Sequence, residues 1–347
     1  MLSLCMIVKN EEENLKECLE KLELYIDDIV IIDTGSTDKT KEIAAEFTDE
    51  IYDFKWCNDF AAARNFSLSK ASNDWILVID ADEILTEFCL QRIIKFIENK
   101  NNQRTVGRIK IVNLFEEKIG IERVSRIFNR NYYHYEGIVH EQVTSLNSKN
   151  YKTADVDIIV EHMGYTQEMV HRKDKIKRNI TLLNKILMDN PDDSYIYYQL
   201  GKAYYMEKDY TEACNNFIKA LNLLSNYAYE YVEDLVESYG YALTNCGRFN
   251  DALVIQQYGI YYDTSPDYNF LMGLIYMNNA KFALAVESFI KCIGNNEGKI
   301  YGINSYLPNY NIGIIFECLG YREECLEYYR KCDDYQPAVK RIKTLLN

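Results

Sequence analysis

Four short apolar runs, separated by amphipathic stretches, confine the first part of this chain to few folds. LSLCMIV (2–8), DIVIID (28–33), IYDF (51–54) and WILVID (75–80) are short and rich in branched aliphatic residues, as buried strands are. Between the first two, ENLKECLEKL (13–22) carries Leu15, Leu19 and Leu22 at helical spacing. STDKTKEIAAEF (36–47) opens on Ser36, Thr37 and Asp38, good residues for an N-cap and first turn. NDFAAARNFSLSKA (58–71) reads as a third helix. The order β-α-β-α-β-α-β predicts a mostly parallel sheet covered by helices. RIKIVNLF (108–115), RVSRIFN (123–129) and DVDIIVE (155–161) add later, less regular strands.

The pattern changes near residue 165. A long helix is expected over 166–189, stopped by Pro191 in DNPDD. Beyond it, one set of offsets recurs. Gly201 precedes Tyr210, Ala213, Phe217 and Ala220; Gly240 precedes Phe249 and Ala252. Gly273 precedes Phe282, Ala285 and Phe289, and Gly313 precedes Cys325 and Tyr329, with Arg322 in the first aromatic position. These offsets resemble tetratricopeptide repeats, in which small residues let two helices approach and aromatic rings fill the gaps. Uneven spacing places insertions at 222–235 and 294–307. The expected organisation is an α/β domain over 1–165, a connecting helix over 166–190 and an all-α repeat solenoid over 191–347. Such a solenoid suits an extended peptide or partner helix, or else serves as a structural cap or homodimer interface.

The 347 residues carry 39 basic and 53 acidic side chains, a net charge of −14. That balance argues against a nucleic-acid binder and against charge-driven attachment to an anionic membrane. HRKDKIKRN (171–179) is the main local basic segment. No apolar run is long enough for an integral membrane span. The start, MLSLCMIVKNEE, lacks a basic region before its apolar residues and reads as a strand and not a signal peptide. Ten cysteines occur without a C-x-x-C pair, which suggests reduced thiols in a cytoplasmic protein. Cys292, Cys325 and Cys332 fall where a helix would pack a small apolar residue.

Two acidic motifs close predicted strands, where open parallel sheets bind ligands. In DIVIIDTGSTDKT (28–40), Asp33 ends the strand and Gly35 permits a tight turn. A carboxylate there accepts from a base N–H or ribose hydroxyls, or caps the following helix. In WILVIDADEIL (75–85), Asp80 and Asp82 are two apart, so a continuing strand would point both one way and turn Ala81 away. Converging carboxylates need a counter-charge, and Mg²⁺ or Mn²⁺ accepts such oxygens while leaving positions for phosphate. The alternative is a solvated acidic loop.

Together, MIVKNEEENL, DTGSTDKT, FAAARN and WILVIDADE resemble the family 2 glycosyltransferases, which have the Rossmann-like GT-A fold. The likeness is strong over 2–90 and looser over 105–165. With the repeats, the chain is similar to bacterial enzymes of this family, including those that glycosylate bacteriocin peptides on cysteine. The resemblance implies a UDP-sugar donor and an inverting displacement, and a nucleotide-sugar site at Val8, Glu11, Asp33, Arg64, Asp80 and Ala81. It implies an Mn²⁺ or Mg²⁺ ion at Asp82, Asp80 and His162. The base would lie in YEGIVHEQV (135–143), where His140 replaces one member of the family's usual acidic pair and Glu141 remains. Glu141 is the first candidate and His140 the second. Arg126 and Arg130 could meet the diphosphate.

The acceptor would be a cysteine, serine or threonine of a peptide or protein held by the repeats. A cell-wall or polysaccharide precursor is the alternative. A non-enzymatic scaffold is disfavoured by the joint presence of Asp33, Arg64, Asp80 and Asp82. A nucleotidyltransferase would be expected to carry a Gly-rich basic loop after its first strand, which MIVKNEEENL lacks.

Overall fold

In the computed structural model the chain divides into two compact units, residues 1–170 and 171–347. The structure describes residues 2–114, 119–147, 152–162, 169–294 and 296–346, with the backbone alone over 169–175.

The first unit contains β1 (Leu2–Val8), α1 (Leu15–Leu22), β2 (Asp28–Asp33), α2 (Thr40–Ala44), β3 (Ile51–Asp53), α3 (Phe60–Lys70) and β4 (Trp75–Val78). These are followed by β5 (Glu83–Phe88), α4 (Leu90–Glu98), β6 (Thr105–Leu114), β7 (Ile119–Asn129), β8 (Tyr133–Glu136), β9 (Gln142–Ser145) and β10 (Lys152–His162). Among the described residues, eight strands form one sheet in the order β3-β2-β1-β4-β7-β6-β10-β5. β3, β2, β1 and β4 are parallel, as the alternation predicts. β7 enters antiparallel between β4 and β6, and β8 pairs with β9 as a separate hairpin.

Both faces of the sheet are covered. Leu4 and Met6 point to the side where α1 buries Leu15, Leu19 and Leu22; Cys5, Ile76 and Val78 point to the other, against Ala61 and Leu68 of α3. Each α1 leucine is fully buried, which stabilises the packing by about 2 kcal/mol per side chain. α3 begins at Asp59, whose carboxylate accepts the Ala62 N–H at 2.9 Å. Asp59 is therefore the N-cap of α3. Phe115, the end of one expected strand, lies outside the described residues.

The second unit contains α5 (Met169–Asp189), α6 (Ser194–Met206), α7 (Tyr210–Leu223), α8 (Glu230–Asn245), α9 (Phe249–Ala252), a 3₁₀ segment (Leu253–Tyr258) and α10 (Gly259–Tyr262). It continues with α11 (Pro266–Asn278), α12 (Phe282–Cys292), α13 (Tyr306–Leu319), α14 (Arg322–Arg330) and α15 (Gln336–Leu346). The long helix stops before Pro191; residues 166–168 and the side chains of 171–175 in the basic segment lie outside the described residues. The recurring offsets have a direct cause. A Cβ on Gly201 would lie 2.4 Å from the Phe217 ring, and one on Gly273 would lie 2.5 Å from Phe289. Glycine lets the first helix of each repeat rest against the ring of the second.

The second repeat departs from this scheme. Gly240 faces Leu271 and Ile255 instead of an aromatic ring, and the helix after it is broken by the 3₁₀ segment. The insertion expected over 222–235 is shorter, since α8 is already helical from Glu230. Cys292, Cys325 and Cys332 are buried free thiols.

Candidate active site

β1, β2 and β4 end at one edge of the sheet. β6 and β10 run the same way, because two successive antiparallel pairings through β7 restore the direction. Sheet topology therefore gathers Val8, Asp33, Asp80, Asn113 and His162 along the carboxyl rim, where such sheets bind ligands.

The turn after β4 is tighter than a continuing strand. β4 stops at Val78; Glu83 N donates to Asp80 O at 3.0 Å, and Asp80 N donates to Glu83 Oε2 at 2.9 Å. The expectation that strand pleat aligns Asp80 with Asp82 is corrected here: a turn sets their directions, and each carboxylate has its own partner.

Asp80 is clasped by two guanidinium groups. Arg64 Nη2 donates to Asp80 Oδ1 at 3.0 Å, and Arg126 Nη2 donates to Asp80 Oδ2 at 2.9 Å. Arg126 also donates to Glu83 Oε1 at 2.7 Å, and Arg64 Nε donates to Glu141 Oε1 at 2.5 Å. The result is an alternating chain of charges: Glu141, Arg64, Asp80, Arg126, Glu83. Desolvation opposes ionisation of Asp80, but Arg64 and Arg126 outweigh it and hold its carboxyl below the usual range. At Glu83 burial dominates and pushes the carboxyl up, despite Arg126. Glu83 is 4% exposed and begins β5, so it belongs to this buried chain of charges and not to a solvated acidic loop. Arg126, in the middle of β7, is 9% exposed and acts as a buried counter-charge. Arg130 instead donates to the backbone oxygens of Leu68 and Ala71.

Asp82 faces His162. Antiparallel pairing of β10 with β5 sets His162 opposite Glu83, and parallel pairing with β6 sets it opposite Asn113. His162 Nε2 lies 3.1 Å from Asp82 Oδ2, and Nδ1 lies 2.9 Å from Asn113 Oδ1. The Asp82 hydrogen bond raises the His162 pKa against its partial burial. Among the described residues, no three His, Cys, Asp or Glu side chains group as a metal cage. The expected trio of ligands is thus divided, with Asp82 and His162 together and Asp80 held by arginines.

α3 and the β8–β9 hairpin are tied together through Asn65. Its Nδ2 donates to Tyr135 O at 2.8 Å, and its Oδ1 accepts Tyr135 N–H at 2.9 Å. Phe60 N also donates to Ile138 O at 2.9 Å. These bonds bring the hairpin loop, and Glu141 with it, to Arg64. The Arg64 guanidinium also lies over the Tyr135 ring, 5.5 Å from its centre. His140, just before Glu141, has φ of 55°, an uncommon backbone for a residue with a side chain.

At the other end of the rim, the first two loops are stitched together. Asp33 accepts the N–H groups of Gly35 and Ser36, at 3.1 Å each to Oδ2. Glu11 N donates to Thr40 Oγ1 at 2.7 Å, and its carboxylate accepts from Asn14 Nδ2 at 3.1 Å. Val8 and Ala81 bury their side chains in the core, and the Val8 carbonyl accepts both the N–H and the hydroxyl of Thr34. Sequence reasoning missed Asn65 and Asn113. One signal was available: a charged residue inside an apolar strand, Arg126, demands a buried acid.

Residues 3–158 match the model of the glycosyl transferase family 2, and 194–226, 266–298 and 308–339 match a tetratricopeptide repeat. The chain carries a family 2 glycosyl transferase domain followed by tetratricopeptide repeats. The matched repeats leave out the one whose second helix is broken. Across 219 residues, 60% of this chain and 53% of the relative, the sequence is 32% identical to a TPR repeat-containing protein of Synechococcus elongatus. It is 29% identical over 232 residues, 62% of this chain and 52% of the relative, to the SPbeta prophage-derived glycosyltransferase SunS of Bacillus subtilis. The chain thus spans about half the length of these curated relatives. YrrB, a TPR protein of known crystal structure, aligns with a TM-score of 0.41 and 22% identity, over 51% of this chain and 88% of YrrB. Among the described residues, no helix is long and apolar enough to cross a membrane.

Proposed function

We propose that this chain is an inverting glycosyltransferase that moves a sugar from a UDP-sugar to a cysteine, serine or threonine side chain of a peptide or protein. The observation that carries this reading is the rim of the family 2 domain, where the alternating charges of Glu141, Arg64 and Asp80 and the separate Asp82–His162 pair meet at the turn after β4. The resemblance to family members that glycosylate bacteriocin peptides suggests the acceptor class, and the repeats would hold that acceptor.

The residues fit a divalent cation. The Asp82 carboxylate and the His162 ring nitrogen are both metal-ligand types, and Asn113 at Nδ1 is the outer partner that orients the ring. A cation there, Mn²⁺ or Mg²⁺, would supply positive charge for the diphosphate leaving group. We assign Asp80 to orienting Arg64 and Arg126, whose guanidinium groups then face the same diphosphate. Asp33 and Glu11 would meet the uridine, beside Val8 and Ala81. Glu141 takes the acceptor proton as its sulfur or oxygen bonds to the anomeric carbon, and the old carbon–oxygen bond leaves its electron pair on UDP. His140 is the second candidate for that proton. A thiol acceptor needs less help, being more acidic than a hydroxyl. Free cysteines throughout the described chain suit a reducing, cytoplasmic setting.

The test is a panel of UDP-sugars with Mn²⁺, scored for free UDP with and without a chelator. Turnover with at least one donor, lost in Asp82→Ala, is expected. No turnover with any donor would overturn the reading.

A further inference from the structure

Arg64 has two claims on one guanidinium. In the structure its Nε donates to Glu141 Oε1 and its Nη2 to Asp80 Oδ1. The transfer proposed above asks the same group to face a diphosphate, and asks Glu141 to take a proton from the acceptor. A carboxylate lone pair shared with a guanidinium is not free for that proton.

The two acids differ in what they keep if Arg64 turns away. Asp80 also accepts from Arg126, at 2.9 Å, so it retains a cation. Among the described residues, the Glu141 carboxylate has Arg64 as its one hydrogen-bond partner. Two donors beside them are unspent. Arg64 Nη1 and Arg126 Nε are buried with no hydrogen-bond partner among the described residues. Unmet buried donors are costly, and an oxyanion is the kind of ligand that meets them. A guanidinium is planar and rigid, so turning Nη1 towards a new acceptor carries Nε away from Glu141. The hairpin itself need not move, because Asn65 and Phe60 hold it at Tyr135 and Ile138.

We propose that the diphosphate of the sugar donor takes Arg64 from Glu141, so that the base is released to the acceptor only after the donor has bound. This rests on the transferase reading above. A diphosphate carries more charge than a carboxylate and offers more acceptor oxygens, so it competes well for a guanidinium. Once Arg64 has turned, both Glu141 oxygens are open to the acceptor S–H or O–H. When UDP leaves, Arg64 returns to Glu141. The ion pair of the resting site thus keeps the base occupied until there is a donor to attack.

The test is calorimetric binding of UDP and UMP to the full chain at fixed Mn²⁺, with no sugar and no acceptor present. Glu141→Gln removes the competing charge and should bind UDP about fivefold more tightly than the wild type. UMP, which lacks the second phosphate, should bind almost equally to both. Glu141→Asp, one methylene shorter, keeps the charge but draws it back from Arg64, and should also tighten UDP. In an Arg64→Lys background the Glu141→Gln gain should largely disappear, since an ammonium does not serve both carboxylates. Glu136→Gln controls for charge removal, being an exposed acid of the same hairpin paired with His134, and should leave UDP affinity unchanged. No gain for UDP in either Glu141 variant would overturn the exchange. So would an equal gain for UMP, an equal gain in Glu136→Gln, or a gain undiminished by Arg64→Lys. Wild-type protein that binds neither nucleotide would overturn the transferase reading itself, and the exchange with it.

Discussion

Arg64 Nε meets Glu141 Oε1 at 2.5 Å, although the two residues are 77 positions apart in the chain. The same guanidinium holds Asp80, so Arg64 serves two carboxylates at once. Arg64→Met keeps much of the stem and removes both pairs. We expect the first unit to lose about 3 kcal/mol, as when one partner of a buried ion pair is removed. Arg64→Lys should recover less than half of that, since an ammonium lacks the fork needed for both carboxylates. Both tryptophans, Trp56 and Trp75, lie in this unit, so their fluorescence in urea reports its unfolding alone. An unchanged midpoint in Arg64→Met would mean the pair contributes nothing to stability.

Asp82 and His162 should control Mn²⁺ affinity. Asp82→Asn and His162→Gln are each expected to weaken Mn²⁺ binding more than Asn113→Ala does. The Asn113 change acts only through ring orientation and should cost about tenfold. Water-proton relaxation of Mn²⁺ solutions measures all three without reference to turnover. Equal affinity in the wild type and Asp82→Asn would remove the cation from this turn.

Acid should weaken the repeat unit through Asp234. Burial opposes its charge, but Lys202 and Lys299, with the Lys202 and Tyr198 hydrogen bonds, bring its pKa from 3.8 to about 2. The folded value lies below the unfolded one, so this stabilisation is complete above about pH 4 and is lost as pH falls towards 2. Asp234→Asn should cost about 2 kcal/mol at neutral pH. The gap from wild type should close on acidification, as followed by circular dichroism during denaturation. A gap that persists unchanged at pH 2 would show the loss to be packing and not charge.

Close approach in the repeats predicts a steric effect. A Cβ at Gly273 would sit 2.5 Å from the Phe289 ring, so Gly273→Ala should lower stability by about 2 kcal/mol. Adding Phe289→Leu should return part of that loss. Gly294→Ala, with nothing within 4 Å of the new methyl, is the matched control and should be near neutral. Thermal melting separates these variants.

Where the sequence was read correctly, the signal was local. Leu15, Leu19 and Leu22 repeat at helical spacing and all three are buried on one face of α1. The strands over 2–8 and 28–33 were legible because both sheet faces are covered, making each a continuous apolar run. β5 was missed because EILTEF follows an acidic turn and lies next to β10, 70 or more residues later. The regular fourfold repeat was over-read, since Gly240 packs on Leu271 and Ile255, which no offset within one repeat reveals.

The sequence by itself determined which residues reach the rim: the strand ends at Asp33 and near Asp80, the small-residue helix carrying Arg64, and the change to paired helices near residue 165. Only the tertiary structure decided how the charges pair. Asp80 and Asp82 are separated by one residue, yet one binds two arginines and the other faces a histidine 80 positions away. Such pairs form only when oxygen and nitrogen come within about 3 Å. Here that distance is set by the register of β5, β6 and β10 and by the hairpin moored on Asn65. These are relations between distant segments, which no periodicity within one segment can express.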